Sequence, residues 1–168
     1  MDPDAGVVLR VDQFLVTGAV RRPGTVVSTA ELDRRARGPE RVHYVTRACD
    51  RFDEVHGIPL HDLLSDIGLL LREGRKMDQL NLAVLARGQD GYQVTLSWGE
   101  VDVEFGACAA LLATRYNNVP LPRPTLVLPR DTRGSRYVRL LSELRVVHVD
   151  ADADAGVDVG VDSDAVSA

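Results

Sequence analysis

Two cysteines, four histidines and several groups of arginines are the residues of this chain whose types could do chemistry. Cys49 and Cys108 form no C-x-x-C pair and suit a reduced cytoplasm better than a disulfide framework. His43, His56, His61 and His148 show no H-E-x-x-H or other ligand spacing and read as surface histidines, with a second reading in which His43 and His56 face each other across a strand pair and border a cavity. Arginines gather at 21 and 22, at 34, 35 and 37, and at 130, 133, 136 and 139. Only the last group falls where a ligand phosphate could sit, and a guanidinium fork matches that oxyanion. The first two groups read as solvated faces. Asp102 and Glu104 alternate in an expected loop without a sequence partner for acid–base work. G-x-S-x-G, the P-loop and G-x-G-x-x-G do not occur. Asp150, Asp152 and Asp154 imitate the start of a calcium loop, yet Ala155 stands where that loop requires Gly and Val161 where it requires Glu.

The elements that must position these residues are mostly strands. Residues 14–20 read as a strand closed by a turn at Pro23 and Gly24. Ser28 and Glu31 have capping-box spacing and open a helix through about Ala36, which Gly38 and Pro39 stop. Residues 41–48 and 52–56 form a strand pair around Cys49 and Asp50. Pro59 then pre-sets the first helical position, and Leu60, Leu63, Leu64 and Ile67 make one apolar face at i, i+3, i+4 and i+7, with Gly68 as the stop. A hairpin over 80–98 follows, its strands alternating on either side of a turn at 88–91. Asn117, Asn118 and Pro120 mark another turn, and residues 125–128 and 137–149 close the chain as strands. Strands outnumber helices and do not alternate regularly with them, which predicts a mixed, mostly β, α+β domain with a few short helices.

Length, 168 residues, fits one domain over 1–149 with an acidic, low-complexity tail over 150–168 that is expected to be disordered. Six of the 25 acidic residues lie in that tail with no Lys or Arg, leaving 20 basic against 19 acidic residues before it. The net charge of −5 is therefore carried by the tail, and the nearly neutral body demands no nucleic-acid partner. No apolar run approaches the roughly 20 residues needed to span a bilayer, and the acidic N-terminus lacks a secretory leader's basic and apolar regions, so a cytoplasmic protein without a membrane partner is expected.

Several segments, in order, carry a resemblance. Residues 14–23 with V-T-G-A-V-R-R-P, the Ala30-Glu31-Leu32 helix, Gly57-Ile58-Pro59-Leu60 with Asp62-Leu63-Leu64, Asp90-Gly91-Tyr92, Leu111-Leu112-Ala113 with Pro120-Leu121, and Gly134-Ser135-Arg136-Tyr137-Val138 succeed one another over about 130 residues. Together they resemble the molybdopterin-dependent oxidoreductase domain of the sulfite-oxidase type, in its shorter stand-alone form. The resemblance implies that family's fold, a cavity bordered by His43 and Tyr44, and Arg136 and Arg139 as basic residues against a pterin phosphate.

One departure changes what the resemblance implies about activity. Active members hold molybdenum through a cysteine thiolate a dozen or more residues before the G-x-P-L motif, and the corresponding positions here are Tyr44 and Val45. Neither supplies the soft, deprotonated ligand that the metal requires. Cys49 lies only eight residues before Gly57, in the expected turn, and is the one candidate for a relocated metal ligand. Cys108, among alanines, reads as a small core residue. The first reading is thus a domain of this fold that binds a small molecule in the inherited cavity, with molybdopterin implied by resemblance and molybdenum not expected. A non-catalytic interaction module and an active molybdenum oxidoreductase using Cys49 are the alternatives.

Overall fold

Alternation of side chains builds the first sheet. In β1 (Gln13–Gly18) Phe14 and Val16 are fully buried while their neighbours are not. The computed structural model describes residues 7–149, so the expectations for the tail and its calcium-like start lie outside the described residues. After the turn, β2 (Thr25–Ser28) returns antiparallel to β1, and Ser28 caps α1 (Thr29–Arg35) by accepting the Glu31 N–H at 3.1 Å. The helix ends before Gly38 and Pro39, as expected. They lie inside β3 (Arg37–Val45), where the register shifts between Arg37 and Glu40, and a bulge on an edge strand tolerates a residue without an N–H. Residues 46–49 then turn the chain into β4 (Asp50–Pro59).

The helix read from the leucine spacing is present as α2 (Leu60–Ile67), with Leu60, Leu63, Leu64 and Ile67 all buried. Pro59 caps it instead of forming its first turn, and Gly68 ends it at φ +88, which only glycine adopts readily. The following hairpin is shorter than expected. Residues Asp78–Asn81 form a 3-10 turn because the buried Asp78 carboxylate accepts the Arg72 N–H at 2.7 Å and its guanidinium at 2.6 Å. β5 (Leu82–Gly88) and β6 (Gln93–Ser97) make the hairpin proper. Trp98 belongs to a short helix, α3 (Trp98–Val101), which Ser97 and Glu100 open with a complete capping box.

β7 (Leu111–Tyr116) and β8 (Val119–Val127) are joined at Asn117 and Asn118, whose φ values of 48° and 65° make the left-handed pair that a tight hairpin needs. β9 (Leu141–His148) begins four residues later than the expected strand from 137, because Leu140 at φ 48° interrupts the extended backbone and Val138 bridges to Leu126 instead. β2-β1-β9-β5-β6 form one sheet, with β1 and β9 parallel, and β3-β4-β7-β8 form a second, antiparallel throughout. A single cluster of buried apolar side chains runs from Phe14 to Val146 and draws on both sheets and on α1, α2 and α3. The architecture is mixed and mostly β with few helices, as the sequence predicts. Among the described residues no helix is long and apolar enough to cross a membrane.

Candidate functional site

Tyr44 sits where two cavities adjoin. One, of about 330 Å³, is lined by Tyr44, Val45, Thr46, Arg47, Arg133, Gly134, Ser135, Tyr137 and Arg139. The other, of about 260 Å³, shares Tyr44 and Arg139 and continues along Arg51, Tyr116 and the first half of β8. The end of β3 and the segment before β9 are joined here, since Val45 donates its N–H to the Thr132 carbonyl at 2.8 Å and bridges to Arg133. Gly134 lets them approach, because a Cβ there would lie 2.6 Å from Cδ2 of the Tyr44 ring.

A hydrogen-bond network fixes the Tyr44 ring. Its hydroxyl donates to Asp53 Oδ2 at 2.8 Å, and the same carboxylate accepts from Asn117 at 2.9 Å and from Arg51 at 3.3 Å. Burial pushes the Asp53 carboxyl up, but the hydrogen bonds from Asn117, Tyr44 and Arg51 outweigh it and hold the group below its ordinary value. Tyr44 is pushed up by burial and by its bond to the carboxylate, and stays a neutral donor. Its ring packs on Tyr137 at 4.6 Å and 49°. Tyr137 is 8% exposed and its hydroxyl is buried without a hydrogen-bond partner, at the wall of the larger cavity. Such an orphaned group costs free energy unless something supplies a partner. Burial raises the Tyr116 and Tyr137 phenols well above the usual range, so both remain protonated.

The residues expected from the sequence divide between this cleft and the rest of the surface. Tyr44 and Arg139 line both cavities. Arg136 does not, because its guanidinium is clasped by Asp131 through two bonds of 2.8 Å and by Glu100 through a third of 2.8 Å. His43 points to the other side of β3 from Tyr44, where it stacks on the exposed Phe52 ring at 4.2 Å and lies 3.7 Å from Asp50. Its register partner is Phe52 and not His56, so the two histidines do not face each other. Cys49 is exposed on the 46–49 turn and is not part of the cavity wall. Cys108 packs against the core, where burial pushes its thiol up.

Sequence reasoning did not single out Arg47, and it named Arg133 only as one of a group. Among the described residues the side chains of Arg47, Arg133 and Arg139 make no hydrogen bond or ion pair. None of the residues lining the larger cavity is acidic, so three guanidinium groups border it uncompensated. Two other cavities hold carboxylates in their surroundings. A cavity outside the β3–β4 pair holds Arg41, 3.4 Å from Glu54, beside the His43–Asp50 pair. The larger groove beside α2 contains Asp66, bound to Arg35, and Asp102, which accepts from Trp98 at 3.0 Å.

The donor set does not fit a thiolate-held molybdenum. No thiol faces the cleft, and among the described residues no group of three or more His, Cys, Asp or Glu side chains converges as metal ligands. A scan against protein-family models finds no match for this chain, and a search of the curated proteins finds none either.

Proposed function

We propose that this is a domain of the molybdopterin-oxidoreductase fold that binds a small oxyanion-bearing molecule in the Tyr44 cleft, without a thiolate-anchored molybdenum. One observation carries the reading: Arg47, Arg133 and Arg139 border a cavity that has no acidic wall residue and no protein partner for any of the three among the described residues. Guanidinium groups gathered around a concave site raise the local concentration of anions and bind them bidentately. The free Ser135 side chain adds a neutral donor to the same wall. The order of motifs from the V-T-G strand to G-S-R-Y-V and the mixed, mostly β architecture support the fold assignment.

Two measurements test the proposal. Titration calorimetry with inorganic phosphate should show binding that weakens at least about tenfold in Arg133→Ala and in Arg139→Ala, since a charge-assisted hydrogen bond contributes about 1.5–3 kcal/mol, with the melting temperature unchanged in both. Protein from a host that makes molybdenum cofactor should carry far less than one molybdenum per chain. Molybdenum near one per chain, abolished by Cys49→Ser, would overturn the reading and make Cys49 the metal ligand.

A further inference from the structure

The two cavities that meet at Tyr44 and Arg139 differ in what their polar groups are free to do. In the larger one Arg47, Arg133 and Arg139 are uncommitted. In the smaller one the other two arginines already have partners. Arg123 donates Nε to the Val11 carbonyl at 2.8 Å and Nη2 to the Arg10 carbonyl at 3.1 Å, and Arg51 reaches Asp53 at 3.3 Å. Apart from Thr125 and the shared Arg139, what remains of that wall is apolar or aromatic: Tyr44, Tyr116, Leu121, Pro122 and Leu140. Arg47 and Arg133 therefore lie to one side of Tyr44, ring and aliphatic surface lies to the other, and Arg139 is shared between them.

The backbone next to Arg139 is constrained at the junction. Leu140 takes φ 48°, a conformation that L side chains rarely adopt, and its carbonyl accepts the Gln89 N–H at 2.9 Å. Non-glycine residues persist in that region when their surroundings over-determine them, often beside binding sites. The backbone is thus turned at the residue that follows the shared arginine.

We infer that the ligand is an aromatic oxyanion, a ring carrying a phosphate, sulfate or carboxylate, with its anionic group among Arg47, Arg133 and Arg139 and its ring between Tyr116, Leu121 and Pro122. The inference rests on the anion-binding reading above and adds the class of the organic part. A volume of about 260 Å³ accommodates one six-membered ring, and offset or edge-to-face contact with Tyr44 and Tyr116 favours a flat body over a branched one. Tyr116 and Thr125 keep hydroxyls without protein hydrogen bonds among the described residues, so a single polar substituent on the ring finds a donor.

Calorimetry on the full chain compares inorganic phosphate, phenyl phosphate and benzoate. Phenyl phosphate should bind at least tenfold more tightly than inorganic phosphate and with a more negative heat-capacity change, the mark of buried apolar surface. Benzoate binding with a similarly negative heat-capacity change extends the oxyanion to carboxylates, whereas no benzoate binding overturns that part of the inferred class. Leu121→Trp fills the smaller cavity and should abolish the advantage of the ring while leaving inorganic phosphate unaffected. Equal affinities for the two phosphates in the wild type overturn the aromatic class and leave the anion site standing. No binding of any of the three overturns both. Should Leu121→Trp not fold, the wild-type affinity ratio and heat-capacity difference decide the matter alone. A ring advantage that survives in folded Leu121→Trp places the ring elsewhere and overturns the inference.

Discussion

Arg136 and Arg139 lie three positions apart in one arginine-rich segment, yet only one is free. Asp131 and Glu100 neutralise Arg136 and tie the segment before β9 to α3, so it acts as a clasp. Arg139 has no such partner among the described residues. A second clasp makes a prediction of its own. Asp33 accepts Arg115 through two bonds of 2.9 and 2.7 Å and the Thr114 hydroxyl at 2.7 Å, which lowers its carboxyl to about 2. A folded-state value below the unfolded one means the contribution is fully present above about pH 4 and is lost as pH falls toward about 2. The melting temperature of Asp33→Asn should therefore lie below the wild type near neutral pH, and the two curves should converge as pH falls from about 4 to about 2. A difference that stays constant through that range would show that Asp33 acts by packing alone.

At the scale of elements, α2 is the segment whose sequence and structure agree best, and it allows a sharp contrast. Leu63 and Leu64 are 4% and 0% exposed, whereas Asp62 lies on the solvent side near Arg37 at 3.6 Å. Truncating either leucine to alanine should destabilise the protein by about 2–5 kcal/mol. Asp62→Ala should cost less than about 1 kcal/mol, apart from a small first-turn dipole contribution. Urea unfolding followed by circular dichroism measures both. Equal costs at Leu63 and Asp62 would contradict the burial of this face.

Among the described residues the core runs from Phe14 to Val146, and β9 ends at His148. A chain ending at Val149 should melt within a few degrees of the full chain, and a fall of ten degrees or more would show that the tail packs on the body. Removing the tail also changes the net charge from −5 to +1, because six aspartates leave with no cation. Phosphate binding should then strengthen modestly at low salt, and the gain should fade by about 0.15 M ionic strength as screening shortens the reach of the tail's charge.

Local chemistry made much of the fold legible from the residues alone. The leucine spacing of α2, the Ser28 cap, the Asn117–Asn118 turn and the alternation of β6 each arise from neighbours within a few positions, and all are present, whereas β5 also buries Ala83 on the face expected to point outward. Ser97 and Glu100 carry the same capping signal as Ser28 and Glu31, so α3 was readable too, although Trp98 looked like the last residue of a strand. Within the candidate site, Tyr44 and Arg139 could be picked out by position, but not which arginines would be free. Arg136 is neutralised by Glu100, 36 residues away, and His43 is turned outward because the β3–β4 register sets it opposite Phe52. Arg47 and Arg133 become neighbours of one cavity only when Val45 bridges to Arg133. Burial, ion pairing and register are properties of contacts between distant segments. The spacing of residues along the chain does not contain them until the two sheets have closed on one core.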